Sequence, residues 1–104
     1  MNTVSRLLSL LSLIASAAVA DTYPQRTLIA GSMVCFKAGD WREMVEASLD
    51  QDEAEAERLI SSGKCRAFAS STKVSFIEPD RSGKSALIQL PSGKTAMTAI
   101  GWLR

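Results

Sequence analysis

The sequence predicts an α+β domain: a small antiparallel β-sheet or partly open barrel, with an α-helical hairpin inserted after the first strand. Three observations lead there. Apolar residues recur at helical spacing between residues 40 and 62, and the period changes to alternation after Cys65. Clusters of Pro, Asp, Ser and Gly then punctuate the alternating runs at intervals that suit tight turns. Strands grouped around a helical run define the class.

The chain begins with an export signature. Met1 to Arg6 carries one positive charge and no acid, and Leu7 to Val19 is apolar apart from small serines. Ala18-Val19-Ala20 before Asp21 fits the small-x-small pattern that signal peptidase accepts. The apolar run is shorter than the roughly 20 residues a spanning helix needs, which argues against an uncleaved anchor. A cleavable signal peptide is therefore expected over 1–20. It leaves one domain over 21–104, periplasmic or secreted, with no stable membrane anchor after cleavage.

Residues 21–26 read as a loose N-terminus. Thr27 to Phe36 is apolar but interrupted by Gly31, so its second half, ending at Cys35 and Phe36, is expected to be the first strand. Asp40 followed by Glu43 resembles a capping box, with Trp41 just inside the helix. Trp41, Met44, Val45 and Leu49 form the expected inner face, with Arg42, Glu43 and Glu46 outside. The polar step Asp50-Gln51-Asp52-Glu53 interrupts the helical pattern. Ala56, Leu59 and Ile60 resume it until Ser61-Ser62-Gly63, where glycine suits a C-cap. One bent helix or two short ones fit, and two are expected. Further strands are expected over Thr72 to Glu78, Ala86 to Leu90 and Thr95 to Ile100. The turns between them are Pro79 to Lys84 and the tight Pro91-Ser92-Gly93-Lys94.

The domain is small enough that a core alone is marginal and a staple is expected. Cys35 and Cys65 are the only cysteines. In an oxidising compartment they are expected to form one disulfide, closing a long loop for about 3–4 kcal/mol on the chain-entropy model. A redox pair needs a shorter spacing, and a zinc site of ordinary type needs more ligands than a chain without histidine offers.

The same lack of histidine excludes Ser-His-Asp and Cys-His catalysis. Pro91-Ser92-Gly93-Lys94-Thr95 imitates a phosphate loop, but Ile88 stands where that pattern requires glycine. Glu78 and Asp80 are the only acids in the strand half and read as turn residues rather than a glycosidic pair. No catalytic residue, cofactor or metal is expected. Of the 12 basic residues only Arg6 lies in the leader, so the remaining 11 balance the 11 acids. Neutrality argues against a nucleic-acid binder. The charge is nevertheless segregated: 41–63 holds seven acids and two arginines, whereas 64–104 holds seven bases and two acids. The basic half could meet an acidic partner such as lipid head groups or anionic glycan, but mutual attraction of the two halves is the expected use of this pattern.

Thr72-Lys73-Val74-Ser75-Phe76-Ile77, the hairpin around Gly93 and the closing Gly101-Trp102-Leu103 together resemble a diverged bacterial SH3-like barrel over about 35 residues. The helical insert departs from that family. The resemblance implies an envelope module that binds peptide or cell-wall material and carries no catalytic residues. In size and export signal the chain is also similar to small exported proteins of plasmid conjugation regions, one of which kills recipient bacteria. The expected function is thus a non-enzymatic interaction module contacting an envelope protein or cell-wall polymer, with Lys94, Lys73 and Trp102 as candidate interaction residues. Trp41 and Trp102 are expected first to pack in the core or at its edge, and Trp102 to make contacts if it is exposed. An envelope-acting effector, either a plasmid- or phage-linked killing factor or an inhibitor of an envelope enzyme, is the alternative.

Overall fold

The computed structural model describes residues 23–104, so the leader expected over 1–20 lies outside the described residues. Among the described residues six strands and two helices follow one another: β1 (Gln25–Leu28), β2 (Met33–Cys35), α1 (Ala38–Leu49), α2 (Glu53–Ser61), β3 (Cys65–Ala67), β4 (Thr72–Pro79), β5 (Ser85–Gln89) and β6 (Thr95–Ala99). A 3-10 turn over Ile100–Trp102 closes the chain. All strand pairs are antiparallel, in the order β1-β4-β5-β6-β2-β3. The α+β class is as the sequence predicts, and the helical hairpin follows the strand that ends at Cys35.

That strand is second rather than first, because Gln25 and Arg26, expected to be loose, already belong with Thr27 and Leu28 to β1. Its four residues pair with Thr72–Ser75 of β4, and Leu28 also bridges to Leu103. Thr27 and Arg104 exchange backbone hydrogen bonds of 2.9 and 2.8 Å, so the C-terminus lines the outer edge of β1. Both partners are remote in sequence, and only Leu28 of the four is buried.

Alternation along the strands sends side chains to two cores. Leu28, Val34, Val74, Ala86, Ile88, Leu90, Ala96 and Leu103 meet Phe68 inside the curled sheet. The opposite face of β2 and β6 turns Cys35 and Met97 outward to a second cluster with Trp41 and Met44 of α1 and Leu59 of α2. A register shift between Phe76 and Glu78 marks a bulge in β4, the usual means of bending a strand.

Local chemistry accounts for the helical hairpin. α1 starts earlier than the Asp40 pattern predicts: Lys37 is the N-cap, without a side-chain cap bond, and Asp40 lies in the first turn, where its charge suits the helix dipole. The Asp52 carboxylate does cap α2, accepting from the Glu55 N–H at 3.1 Å. Both helices end in a left-handed residue. The Gly63 N–H donates to Ile60 O and the Lys64 N–H to Leu59 O, with Gly63 at φ 82°. Gln51 repeats this geometry at φ 55°, with its N–H donating to Ser48 O and that of Asp52 to Ala47 O. The inner face of α1 also differs from expectation. Trp41, Met44 and Ala47 are buried, whereas Val45 is 36% and Leu49 79% exposed.

Cys35 and Cys65 form the expected disulfide. They stand directly opposite each other in the β2–β3 register, with Cα atoms 4.0 Å apart. The bond therefore closes the neck of the helical hairpin, and both cysteines are buried beneath it.

Candidate interaction surface

Of the three residues expected to make contacts, Trp102 has an architectural role. It is half-buried and packs against both cores, with its backbone carbonyl accepting from the Ile29 N–H at 3.0 Å. Its ring meets Trp41, whose Nε1 donates to Ser85 Oγ at 2.9 Å in a buried contact. Trp102 thus joins helix to sheet rather than standing free as a platform.

Lys94 and Lys73 lie elsewhere, on either side of the β5–β6 turn. This turn is tight because Gly93 adopts φ 91°, letting its N–H donate to Leu90 O while the Leu90 N–H donates to Lys94 O. On one side Lys94 places its ammonium 5.4 Å from the centroid of Phe36, beside a shallow hollow shared with Gly63 and Thr95. On the other side Lys73, exposed on β4, borders a depression with Gln25, Gln89 and Pro91. Between them runs a groove of about 430 Å3, with Arg66, Phe68, Ser70 and Thr72 on one wall and Pro91 and Ser92 on the other.

Arg66 escaped the sequence reading. It projects from the edge strand β3 and lays its guanidinium 4.7 Å from the Phe68 centroid. Arg66 on β3 and Phe68 just past its end are two residues apart in extended chain, which puts both side chains on one face, and that spacing was the available signal. Arg26 covers Phe76 in the same way at 5.4 Å, so each of the three phenylalanines carries a cation.

The electrostatics sharpen this surface. Among the described residues no carboxylate lines the groove or the two hollows beside it. Among the described residues the ion pairs join Arg58 to Glu55 at 2.6 Å and to Glu43 at 3.7 Å, both inside the helical hairpin. The expected attraction between acidic helices and basic sheet therefore has no ion pair behind it. The helices neutralise part of their own charge, and the basic residues around the β5–β6 turn keep theirs available.

Asp80 belongs to a different region, the β4–β5 turn. Its carboxylate accepts from Ser82 Oγ at 2.6 Å and from the Ser82 N–H at 3.0 Å. These bonds, that from the hydroxyl foremost, hold it below the usual aspartate range. A general acid needs the opposite shift. Neighbouring Glu78 pairs with Leu87 beyond the bulge. A separate cleft between α1 and this turn is lined by Trp41, Val45, Asp80, Ser85 and Met97 and has mixed charge. Among the described residues no cluster of His, Cys, Asp and Glu is suited to a metal, and no helix is long and apolar enough to cross a membrane.

Comparison with protein-family models, curated proteins and solved structures gives no match.

Proposed function

We propose that this chain is an exported, non-enzymatic interaction module that contacts an envelope protein or cell-wall polymer through the surface around its β5–β6 turn. The observation that carries the reading is a groove walled by Arg66 and flanked by Lys73 and Lys94, with no carboxylate on its lining among the described residues. Export to the periplasm or beyond is supported by the leader-like residues 1–20 and by a disulfide of the kind that persists in oxidising compartments. A small antiparallel sheet with two helices is compatible with the SH3-like resemblance, and modules of that kind suit a binding role. The deciding experiment is capture of envelope components on the immobilised disulfide-bonded protein. Retention that falls when Lys73 and Lys94 are changed to Gln supports the reading, and retention indifferent to them removes it. The effector alternative separates by growth. Arrest or lysis on inducing the full chain, absent when residues 2–20 are deleted, would replace a passive module by an envelope-acting factor.

A further inference from the structure

The geometry points to a linear anionic polysaccharide as the occupant of the groove, with Arg66 as its anchoring residue. This rests on the reading of the domain as an envelope-binding module and names the chemistry of its ligand.

Arg66 is prepared for an anion. Its guanidinium lies over Phe68, a ring only 8% exposed and therefore held in place by the sheet interior. Stacking occupies one face of the guanidinium and leaves its edge, where the N–H fork lies, free to grip a carboxylate or sulfate in bidentate fashion. Among the described residues no hydrogen bond or ion pair engages that fork. Ser70, Thr72 and Ser92 add hydroxyls along the same groove, partners for the hydroxyls and ring oxygens of a sugar.

Three cations distributed along the turn call for an extended ligand. Lys73 borders the hollow on the Gln25 and Gln89 side, Arg66 the central groove, and Lys94 the hollow on the Phe36 and Gly63 side. A single small anion meets one of them, whereas a chain with a charge on successive sugars meets all three. A membrane surface fits less well. Interfacial binders push apolar side chains among the lipids, and among the described residues the large exposed apolar ones are Tyr23, Val45 and Leu49, none of which lines the groove or its two hollows. Nucleic acid fits less well too, because bases need open aromatic faces and each phenylalanine is covered by a cation.

The test is affinity electrophoresis of the disulfide-bonded protein through gels holding polygalacturonate, heparin or neutral dextran, beside flotation with anionic phospholipid vesicles. Retardation is expected with both charged polymers, is weakened by salt, and is absent with dextran. Arg66→Ala is expected to weaken the interaction about tenfold, and Arg66→Lys to remain weak because an ammonium lacks the fork. Arg81→Ala, in the β4–β5 turn, should leave it unchanged. Where Arg66→Ala lowers the melting temperature, the exposed Lys73→Gln, Lys94→Gln pair supplies the comparison and should cut affinity several-fold. Equal retardation by dextran, binding to vesicles alone, or affinity indifferent to Arg66 and to the lysine pair would overturn the proposal. Envelope capture that is sensitive to the lysine pair but proves to be of a protein would overturn the polysaccharide while leaving the module reading intact.

Discussion

The indole of Trp41 stands edge-on to that of Trp102, with ring centroids 6.3 Å apart and planes at 79°. One ring comes from the first helix and the other from the 3-10 turn that ends the sheet, so the pair joins two cores that the chain builds separately. Edge-to-face pairs contribute about 0.5–1.5 kcal/mol beyond the area they bury. Trp102→Ala removes that contact and packing on both sides, for a loss of about 3–5 kcal/mol. In a domain of this size the melting temperature should fall by more than about 10 °C. Trp41→Phe keeps most of the packing but deprives Ser85 of its buried partner, costing about 1–3 kcal/mol. Thermal denaturation of both variants beside Leu49→Ala checks the ranking. Leu49 is largely exposed, and a Trp102→Ala variant as stable as Leu49→Ala would refute the joint.

The disulfide closes a 30-residue separation and should contribute about 3–4 kcal/mol through the unfolded chain. Reduction, or the paired change of Cys35 and Cys65 to Ser, is expected to lower the melting temperature by more than about 10 °C. Equal melting with and without reductant would remove the bond from the account of stability.

Gln51 holds a left-handed conformation, φ 55°, at a helix end where glycine is the favoured residue. Gln51→Gly relieves the contact between Cβ and backbone and gives back part of that gain as unfolded-state entropy. A net stabilisation of about 0.5 kcal/mol is expected, read as a higher urea midpoint with an unchanged slope. A lower midpoint would show that the side chain itself contributes there.

The Asp80 carboxylate is held below its usual range, chiefly by the Ser82 hydroxyl. A depressed folded value means that its contribution is complete above the unfolded range and is lost as pH falls through about 4 and below. Glu55, lowered chiefly by its hydrogen bond from Arg58, acts with the same sign. Acid should therefore weaken the fold, and Asp80→Asn should flatten the acid side of the stability profile by lowering stability at neutral pH while leaving it nearly unchanged at the acid end. Parallel acid limbs for the two proteins would remove the turn from the explanation.

Legibility in the sequence followed the range of the interactions. Strands β4, β5 and β6 and the Gly93 turn were readable because alternation and turn chemistry are local, and the Gly63 helix end was readable for the same reason. Strands β1 and β3 were not, since Gln25–Leu28 is defined by β4 and the C-terminus, and Cys65–Ala67 by β2. The inner face of α1 was misread because hydropathy favours Val45 and Leu49 over Ala47. On that helix only Trp41, Met44 and Ala47 are buried. At the interaction surface the excess of basic residues was visible, but the meeting of Lys94 with Phe36 joins residues far apart in the chain. Trp102 stands out in the sequence, but its partners lie in both cores, which composition cannot indicate.

Cys35 and Cys65 hold the two ends of the helical hairpin side by side. The chain leaves the sheet and returns to it at points 4.0 Å apart, so everything between is a detour with almost no net displacement. That detour, residues 36–64, carries eight acids against four bases. The near-neutral isoelectric point of the protein is thus set by an appendage, and exchanging it for a short turn would leave a strongly cationic sheet. The helical hairpin is in effect a counterweight, a replaceable cassette whose sequence could retune the overall charge while the strands keep their order.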